Sequence, residues 1–363
     1  MAEKDEKYRD KVRGCMLGGA AGDALGYPVE FMTYDEILRR YSPNGICDYS
    51  LDFEEGLALV SDDTQMTLFT ANGILLGLTE NRLSEEHKPI RVYVYKAYMD
   101  WLATQTHNKN LKKPATRLYE LPDLHARRAP GTTCIKALMS GEMGCIEKPI
   151  NNSKGCGGIM RAAPAGLCGL NHMESAKLGA ETAAITHGHP LGYIPAAVLA
   201  YIVHAAVYRD ETCVVTLKSI VLDAMNVMSD IFAEAVCLPE LRTLIDKAVS
   251  LSENSRSDIE NIQALGEGWI AEETLAIAVY CSLRYCTDFS KGIIAAVNHS
   301  GDSDSTGAVT GNILGAWLGY DLIEEKWKRN LELKRTILEI ADDLYDGCRV
   351  DDEVWMRKYG STK

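Results

Sequence analysis

Two short acidic clusters stand about 240 residues apart in the chain, Ser61-Asp62-Asp63-Thr64 and Asp302-Ser303-Asp304-Ser305-Thr306. Each mixes carboxylates with short hydroxyls, and each opens a stretch of apolar and small residues. Four carboxylates folded to one point repel one another unless cations sit among them. Hard cations such as Mg²⁺ prefer oxygen ligands of this kind. Two ions a few ångströms apart would account for both clusters at once. On this reading Asp62, Asp63, Asp302 and Asp304 converge, Ser61 and Ser305 add hydroxyl ligands, and Asp304 or Asp62 bridges the ions. The plainer reading is a pair of helix starts, because Ser61 is a good N-cap and Asp in a first turn suits the helix dipole. One S-D-D is explained that way; the second cluster of the same composition favours a shared site.

Other residues carry weaker signals. Gly22-Asp23-Ala24-Leu25-Gly26 is followed by Glu30. Asp23 near a helix C-terminus is poorly placed for the dipole and needs a partner, such as a backbone N–H in the turn. Glu30 on a loop either reaches a metal or water or is simply solvated. Gly155-Cys156-Gly157-Gly158 runs into Ile159-Met160-Arg161, and a glycine-rich turn before a helix offers N–H groups to an anion. It is neither a Walker motif nor GxGxxG. His187 and His189 lie two apart after Thr186, the wrong spacing for two ligands on one helical face.

These residues need elements to position them, and helical periodicity dominates. The pattern predicts helices over 7–22, 62–79, 90–104, 132–140, 159–169, 173–186, 193–208, 214–232, 238–251, 271–286, 290–299, 305–319 and 330–346. In the last, Leu331, Ile337, Leu338, Ala341, Leu344 and Tyr345 form one face and Gly347 marks the stop. No alternating β-branched run is convincing. Gly14, Gly18, Gly22 and Gly26 recur at four-residue spacing, as do Gly307, Gly311, Gly315 and Gly319. Glycine costs a helix about 0.5–1 kcal/mol relative to alanine, so such rows make sense where two backbones cross at close range. The segments 105–131 and 147–158 read as surface loops. The expected architecture is one compact all-α domain over 1–363, with its core at about 10–346.

The chain has 363 residues, 46% of them hydrophobic, and a net charge of −13. That charge disfavours nucleic acid or an anionic membrane as the main partner. Eleven cysteines without a CxxC are neither a disulfide framework nor a zinc site. The charged start, Met1 to Asp10, lacks a signal-peptide apolar stretch. The longest apolar run, Tyr193 to Tyr208, holds Pro195 and His204 and reads as a buried helix. A soluble, cytoplasmic monomer is expected.

In their order, G-D-A-L-G with Glu30 behind it, S-D-D-T, G-x-G-x-x-M-R, T-H-G-H-P and G-D-S-D-S-T-G resemble the ADP-ribosylglycohydrolase family, from about residue 10 to residue 320. The resemblance implies an all-α bundle with a binuclear Mg²⁺ site, Mn²⁺ being the alternative ion. It implies that Ser61, Asp62, Asp63, Asp302, Asp304 and Ser305 hold the metals and that Glu30 sits on a covering loop. Gly131 and Thr132 would lie by the distal ribose and diphosphate. Gly155, Cys156 and Gly157 would cradle the diphosphate through their N–H groups, His187 would line the same pocket, and Trp269 would border the leaving-group side. The family often has Asn where this chain has Cys156. The vertebrate arginine-specific branch resembles this chain there, and also in Ala129-Pro130-Gly131 and His189-Pro190-Leu191-Gly192-Tyr193.

The implied activity is Mg²⁺-dependent hydrolysis of the N-glycosidic bond between ADP-ribose and a protein arginine. Asp302 is the expected base, with Glu30 or Asp62 as the alternative. Two rivals are a hydrolase of another ADP-ribose linkage, serine-linked or O-acetyl, and a catalytically silent ADP-ribose-binding or structural protein. The intact set of four aspartates argues against the second.

Overall fold

The computed structural model describes residues 2–41, 43–106, 113–210 and 212–360, the side chains of residues 2–5 excepted. In chain order the helices are α1 (Ala2–Gly26), α2 (Tyr34–Tyr41), α3 (Asp62–Leu83), α4 (Ile90–Gln105), α5 (Thr132–Met139), α6 (His172–Ala184), α7 (Pro190–Tyr208), α8 (Leu217–Ile231), α9 (Leu238–Ser252), α10 (Asp258–Leu265), α11 (Ala271–Arg284), α12 (Phe289–Val297), α13 (Ser303–Leu318), α14 (Glu325–Lys328), α15 (Lys334–Asp346) and α16 (Glu353–Tyr359). Among the described residues there is no strand, only the isolated bridges Ala58–Leu331 and Gly155–Ile270. One continuous apolar cluster runs from Val12 to Tyr359, so the all-α expectation holds. The eleven cysteines are all free.

At the centre α1 and α13 pack antiparallel, glycine against glycine. A Cβ on Gly14, Gly18 or Gly22 would collide with the carbonyl oxygen of Gly315, Gly311 or Gly307 respectively, and the reverse holds for each pair. Gly26 meets the Ser303 carbonyl in the same way. Gly319 is the exception in its row: it ends α13 at φ +94, a conformation glycine adopts without strain. This close crossing brings the C-terminal end of α1 beside the first turn of α13, and with it Asp23 beside Asp304.

The other helices follow ordinary rules. Asn171 and Glu174 form a capping box on α6, and Ser257 and Glu260 form one on α10. Ile337, Ile340, Ala341 and Leu344 bury one face of α15, which stops at Gly347 with φ +70 as its pattern predicts, while Leu331 lies before the helix starts and Leu338 and Tyr345 are half-buried. The Tyr193–Tyr208 run belongs to a 19-residue helix, α7, with mean hydropathy 1.6. Length and apolarity would let it cross a bilayer, but 83% of that window is buried inside the fold.

The helix expected over 159–169 is absent. Two short 3₁₀ turns, Cys156–Gly158 and Ala163–Gly166, stand there instead. Pro164 removes a donor and biases Ala163 away from the helical region. The short helices α2, α10, α14 and α16 were not expected. The expected loop over 105–131 is described only outside residues 107–112, and its later part holds two more 3₁₀ turns, Arg117–Glu120 and Pro122–His125.

Candidate active site

Ser61 caps α3, its hydroxyl accepting the Asp63 N–H at 3.1 Å. Asp302 caps α13 and accepts the Ser305 N–H at 3.2 Å. Both clusters are therefore helix starts, as the plainer reading has it, and both starts also face one cleft of about 350 Å³. Glu30, Asp62, Asp63, Asp302, Asp304 and Ser305 line that cleft together with Gly131, Thr132, Gly155, Cys156, Gly157, His187 and Trp269. Ser61 lies just behind it, fully buried.

The acidic residues are fastened from outside their own helices. Asp23 has no exposure, and its carboxylate accepts the N–H groups of Ser61 at 3.0 Å and Thr64 at 3.1 Å, and the Thr64 hydroxyl. It finds backbone partners as expected, but at the start of α3 rather than in its own turn. The loop before α5 grips Asp62 twice: the Asp62 N–H donates to the Arg128 carbonyl at 3.0 Å, and the Gly131 N–H donates to Asp62 Oδ2 at 3.0 Å. Between them Ala129 sits at φ +48, a left-handed conformation uncommon for a residue with a side chain. Glu332 braces the same loop by accepting from Val60 N–H at 2.9 Å and Arg128 Nη2 at 3.3 Å. On the α13 side, the Asp302 N–H donates to the Glu267 carbonyl at 2.8 Å.

Burial, first, and mutual repulsion, second, push these carboxyls up. Asp23 rises to about 7, through burial and then Asp304. Glu30 rises to about 10, through burial and then Asp304, Asp302, Asp62 and Asp23. Asp63 and Asp302 are raised by burial and then by Asp304. Burial also raises Asp62, opposed by the Gly131 N–H. Among the described residues no lysine, arginine or histidine pairs with any of them. Glu30 Oε2 and Asp63 Oδ2 are buried without a hydrogen-bond partner.

That donor set fits hard divalent cations: clustered oxygens, orphaned carboxylate atoms and no competing basic side chain. As the side chains stand, no three His, Cys, Asp or Glu groups close into an ion cage among the described residues. The fit therefore rests on the chemistry of the donors.

The glycine-rich turn lines the same cleft. The Cys156 N–H donates to the Trp269 carbonyl at 3.1 Å and the Gly155 N–H to Ser153 Oγ at 3.3 Å. Those two groups are committed inside the protein, which corrects the expectation that all three N–H groups face a ligand. The glycines have another role. A Cβ on Gly157 would stand 3.0 Å from His187 Cε1 and one on Gly192 3.1 Å from His187 Cβ, whereas Gly155 and Gly158 are in ordinary contact with the ring, so it is the bareness of Gly157 that makes room for the imidazole. His187 is 1% exposed, and burial followed by the nearby Arg161 charge lowers its pKa to about 3. It is neutral in the working range. Burial, followed by the nearby Asp302 charge, pushes the Cys156 thiol up and keeps it protonated.

His189 is structural: its Nδ1 accepts the Leu191 N–H at 3.0 Å and starts α7. Phe31, Ala129, Pro130, Thr133, Cys134 and Met160 also line the cleft without having been singled out from the sequence. Phe31 had a signal, being an aromatic next to Glu30. It stacks on Trp269 with ring centres 5.9 Å apart.

The model of the ADP-ribosylglycohydrolase family matches residues 4–353. The ADP-ribosylhydrolase ARH3 of Homo sapiens is 28% identical over 204 residues. That match spans 50% of this chain and about half, 54%, of that relative. The ADP-ribosyl-[dinitrogen reductase] glycohydrolase of Rhodospirillum rubrum is 24% identical over 331 residues, 90% of this chain and 91% of that protein. A solved structure titled ADP-ribosylglycohydrolase-related protein complex shares the fold, with a TM-score of 0.64 and 24% identity over 94% of this chain and 99% of that one. With the family model covering nearly its whole length, the chain belongs to the ADP-ribosylglycohydrolase family.

Proposed function

We propose that this chain hydrolyses the N-glycosidic bond of ADP-ribosylated arginine on proteins, with two Mg²⁺ ions as cofactor, and releases ADP-ribose. The observation that carries the reading is the convergence of the α3 and α13 starts on one cleft that the glycine turn and His187 also line. Bound Mg²⁺ would be held by Ser61, Asp62, Asp63, Asp302, Asp304 and Ser305, and would supply Lewis-acid positioning of the ribose hydroxyls and charge neutralisation.

The residues do the rest. Hydrolysis adds a water oxygen to the anomeric carbon and breaks its bond to the guanidino nitrogen. The carbon gains oxocarbenium character on the way, which a wall of carboxylates stabilises. Asp302 takes the proton from the attacking water; Glu30 and Asp62 are the alternative bases. A neighbouring carboxyl hands a proton to the departing guanidino nitrogen. His187, neutral and enclosed by glycines, contacts the diphosphate side.

Arginine is favoured as the leaving group because the cleft is lined by carboxyl groups and carries the Phe31–Trp269 pair. A planar cation suits both features. The test is release of free ADP-ribose from arginine-linked and serine-linked peptides, with Mg²⁺ and with EDTA. Mg²⁺-dependent release from the arginine peptide alone is the expected result. Release from serine alone overturns the linkage, and binding of ADP-ribose without release from either peptide overturns the activity.

A further inference from the structure

Arg161 has no exposed surface, and among the described residues its guanidinium has no carboxylate partner. Nη1 donates to the Cys134 sulfur at 3.1 Å and the Met66 sulfur at 3.3 Å, and Nη2 donates to the Thr186 hydroxyl at 2.6 Å. Its Cζ stands 4.4 Å from the centre of the Tyr98 ring, and Nε makes no bond. Burial holds Tyr98 and Cys134 in their neutral forms. A guanidinium does not give up its proton in proteins, so this is a buried positive charge with no negative one against it. Such a charge is costly and calls for a counter-ion.

The bonds it makes lead to the cleft. Arginine can only donate, so Thr186 Oγ must accept from Nη2. That leaves the threonine proton to give. His187 Nδ1 lies 2.8 Å from the same oxygen. The Cys134 sulfur is also within reach of Thr186, but a thiol sulfur is a weaker acceptor than an imidazole nitrogen. With Nδ1 accepting, the single proton of neutral His187 sits on Nε2. That nitrogen lies against the Gly155–Gly157 turn in the cleft wall, where no protein hydrogen bond is recorded for it among the described residues. The other tautomer would turn a lone pair towards an anionic ligand.

We propose that Arg161 and Thr186 are positioning residues that fix His187 as an Nε2–H donor to a phosphate oxygen in the cleft, so that the bound diphosphate supplies the negative charge the guanidinium lacks. The identity of the ligand rests on the ADP-ribose reading given above; the tautomer does not.

Two measurements test this. Long-range ¹H–¹⁵N correlation of the ligand-free protein reads the His187 tautomer. The expected pattern is a protonated Nε2 in the native protein and in Thr186→Ser, and loss of that preference in Thr186→Val. An Nδ1–H tautomer in the native protein, or an unchanged signal in Thr186→Val, overturns the proposal. Calorimetric titration with ADP-ribose, and with uncharged ribose, is the second. Thr186→Val is expected to weaken ADP-ribose about tenfold, the worth of one hydrogen bond to a charged group, while Thr186→Ser restores binding and ribose is unaffected. Arg161→Lys keeps the charge but not the fork and should fall between native and Arg161→Met. Equal loss for both ligands would mean a collapsed site and sink the proposal. If the native protein shows the expected tautomer but does not bind ADP-ribose, the functional reading fails while the relay stands.

Discussion

Gly22 and Gly307 face each other with nothing between their backbones, and a Cβ on either would run into the carbonyl oxygen of the other. The contact sits one residue from Asp23 and three from Asp304, so the closeness of the helices sets how closely those two carboxylates approach. Alanine is the better helix former by about 1 kcal/mol, but overpacking against a backbone that cannot yield costs about 1–3 kcal/mol. Gly18→Ala, facing Gly311 in the same row, is therefore expected to lower the urea midpoint with an unchanged slope. A midpoint that stays or rises would show that the helices can separate freely.

The acidic cleft opposes stability to function. Burial and mutual repulsion raise Asp23, Glu30, Asp62, Asp63 and Asp302 together. Neutralising one member removes repulsion from the rest. Asp304→Asn and Asp302→Asn are expected to raise the melting temperature of EDTA-treated protein while lowering ADP-ribose release by about 10²–10⁴. Differential scanning fluorimetry beside the release assay checks both halves. Variants that melt lower without metal would mean that these carboxylates are satisfied by bonds rather than strained by charge.

The same raised carboxyls give the metal-free protein a particular pH dependence. A carboxyl whose folded pKa lies above its unfolded one holds more protons in the folded state, so stability falls as pH rises. For Asp23 the contribution is complete below 3.8 and is lost through about 7; for Glu30 the loss continues to about 10. His187 and His204, lowered chiefly by burial to about 3 and 4, act in the opposite sense below 6.5. They act alike with and without metal. The melting shift produced by Mg²⁺ should therefore be small near pH 4.5 and grow steadily to pH 8. A shift independent of pH would place Mg²⁺ binding elsewhere.

Much of this was legible in the residues. The two S/D clusters, the two glycine rows apart from Gly319 and the stop at Gly347 each follow a local rule, and each stands where that rule puts it. The helix over 159–169 failed because the small apolar residues there pack as turns around Pro164, and periodicity does not distinguish a buried turn from a buried helix. The role of the Gly155–Gly158 turn was half visible. Its glycines suggested open N–H groups, but those of Gly155 and Cys156 are bonded within the protein, and Gly157 clears space for His187, which arrives from 30 residues further on. Arg161 was seen only as the end of a motif. Its meaning depends on Thr186 and Cys134, two partners that no spacing rule connects to it.

Phe31 and Trp269 form the lip of the cleft, with planes 19° apart and exposures of 74% and 39%. Their stacking keeps two large aromatic faces near solvent, Phe31 next to Glu30 in the chain and Trp269 next to Gly268, which packs against Asp302. A guanidinium laid on such a face gains about 0.5–2 kcal/mol, which corresponds to a two- to thirtyfold effect. Trp269→Ala is therefore expected to raise KM for an arginine-linked ADP-ribosyl peptide within that range. Its kcat and its affinity for free ADP-ribose, which lacks the leaving group, should change little. Steady-state kinetics on the peptide, paired with calorimetry on ADP-ribose, separates the two. Equal weakening of peptide and ADP-ribose would place Trp269 against the nucleotide rather than the leaving arginine, and would remove the aromatic support for arginine as the linkage.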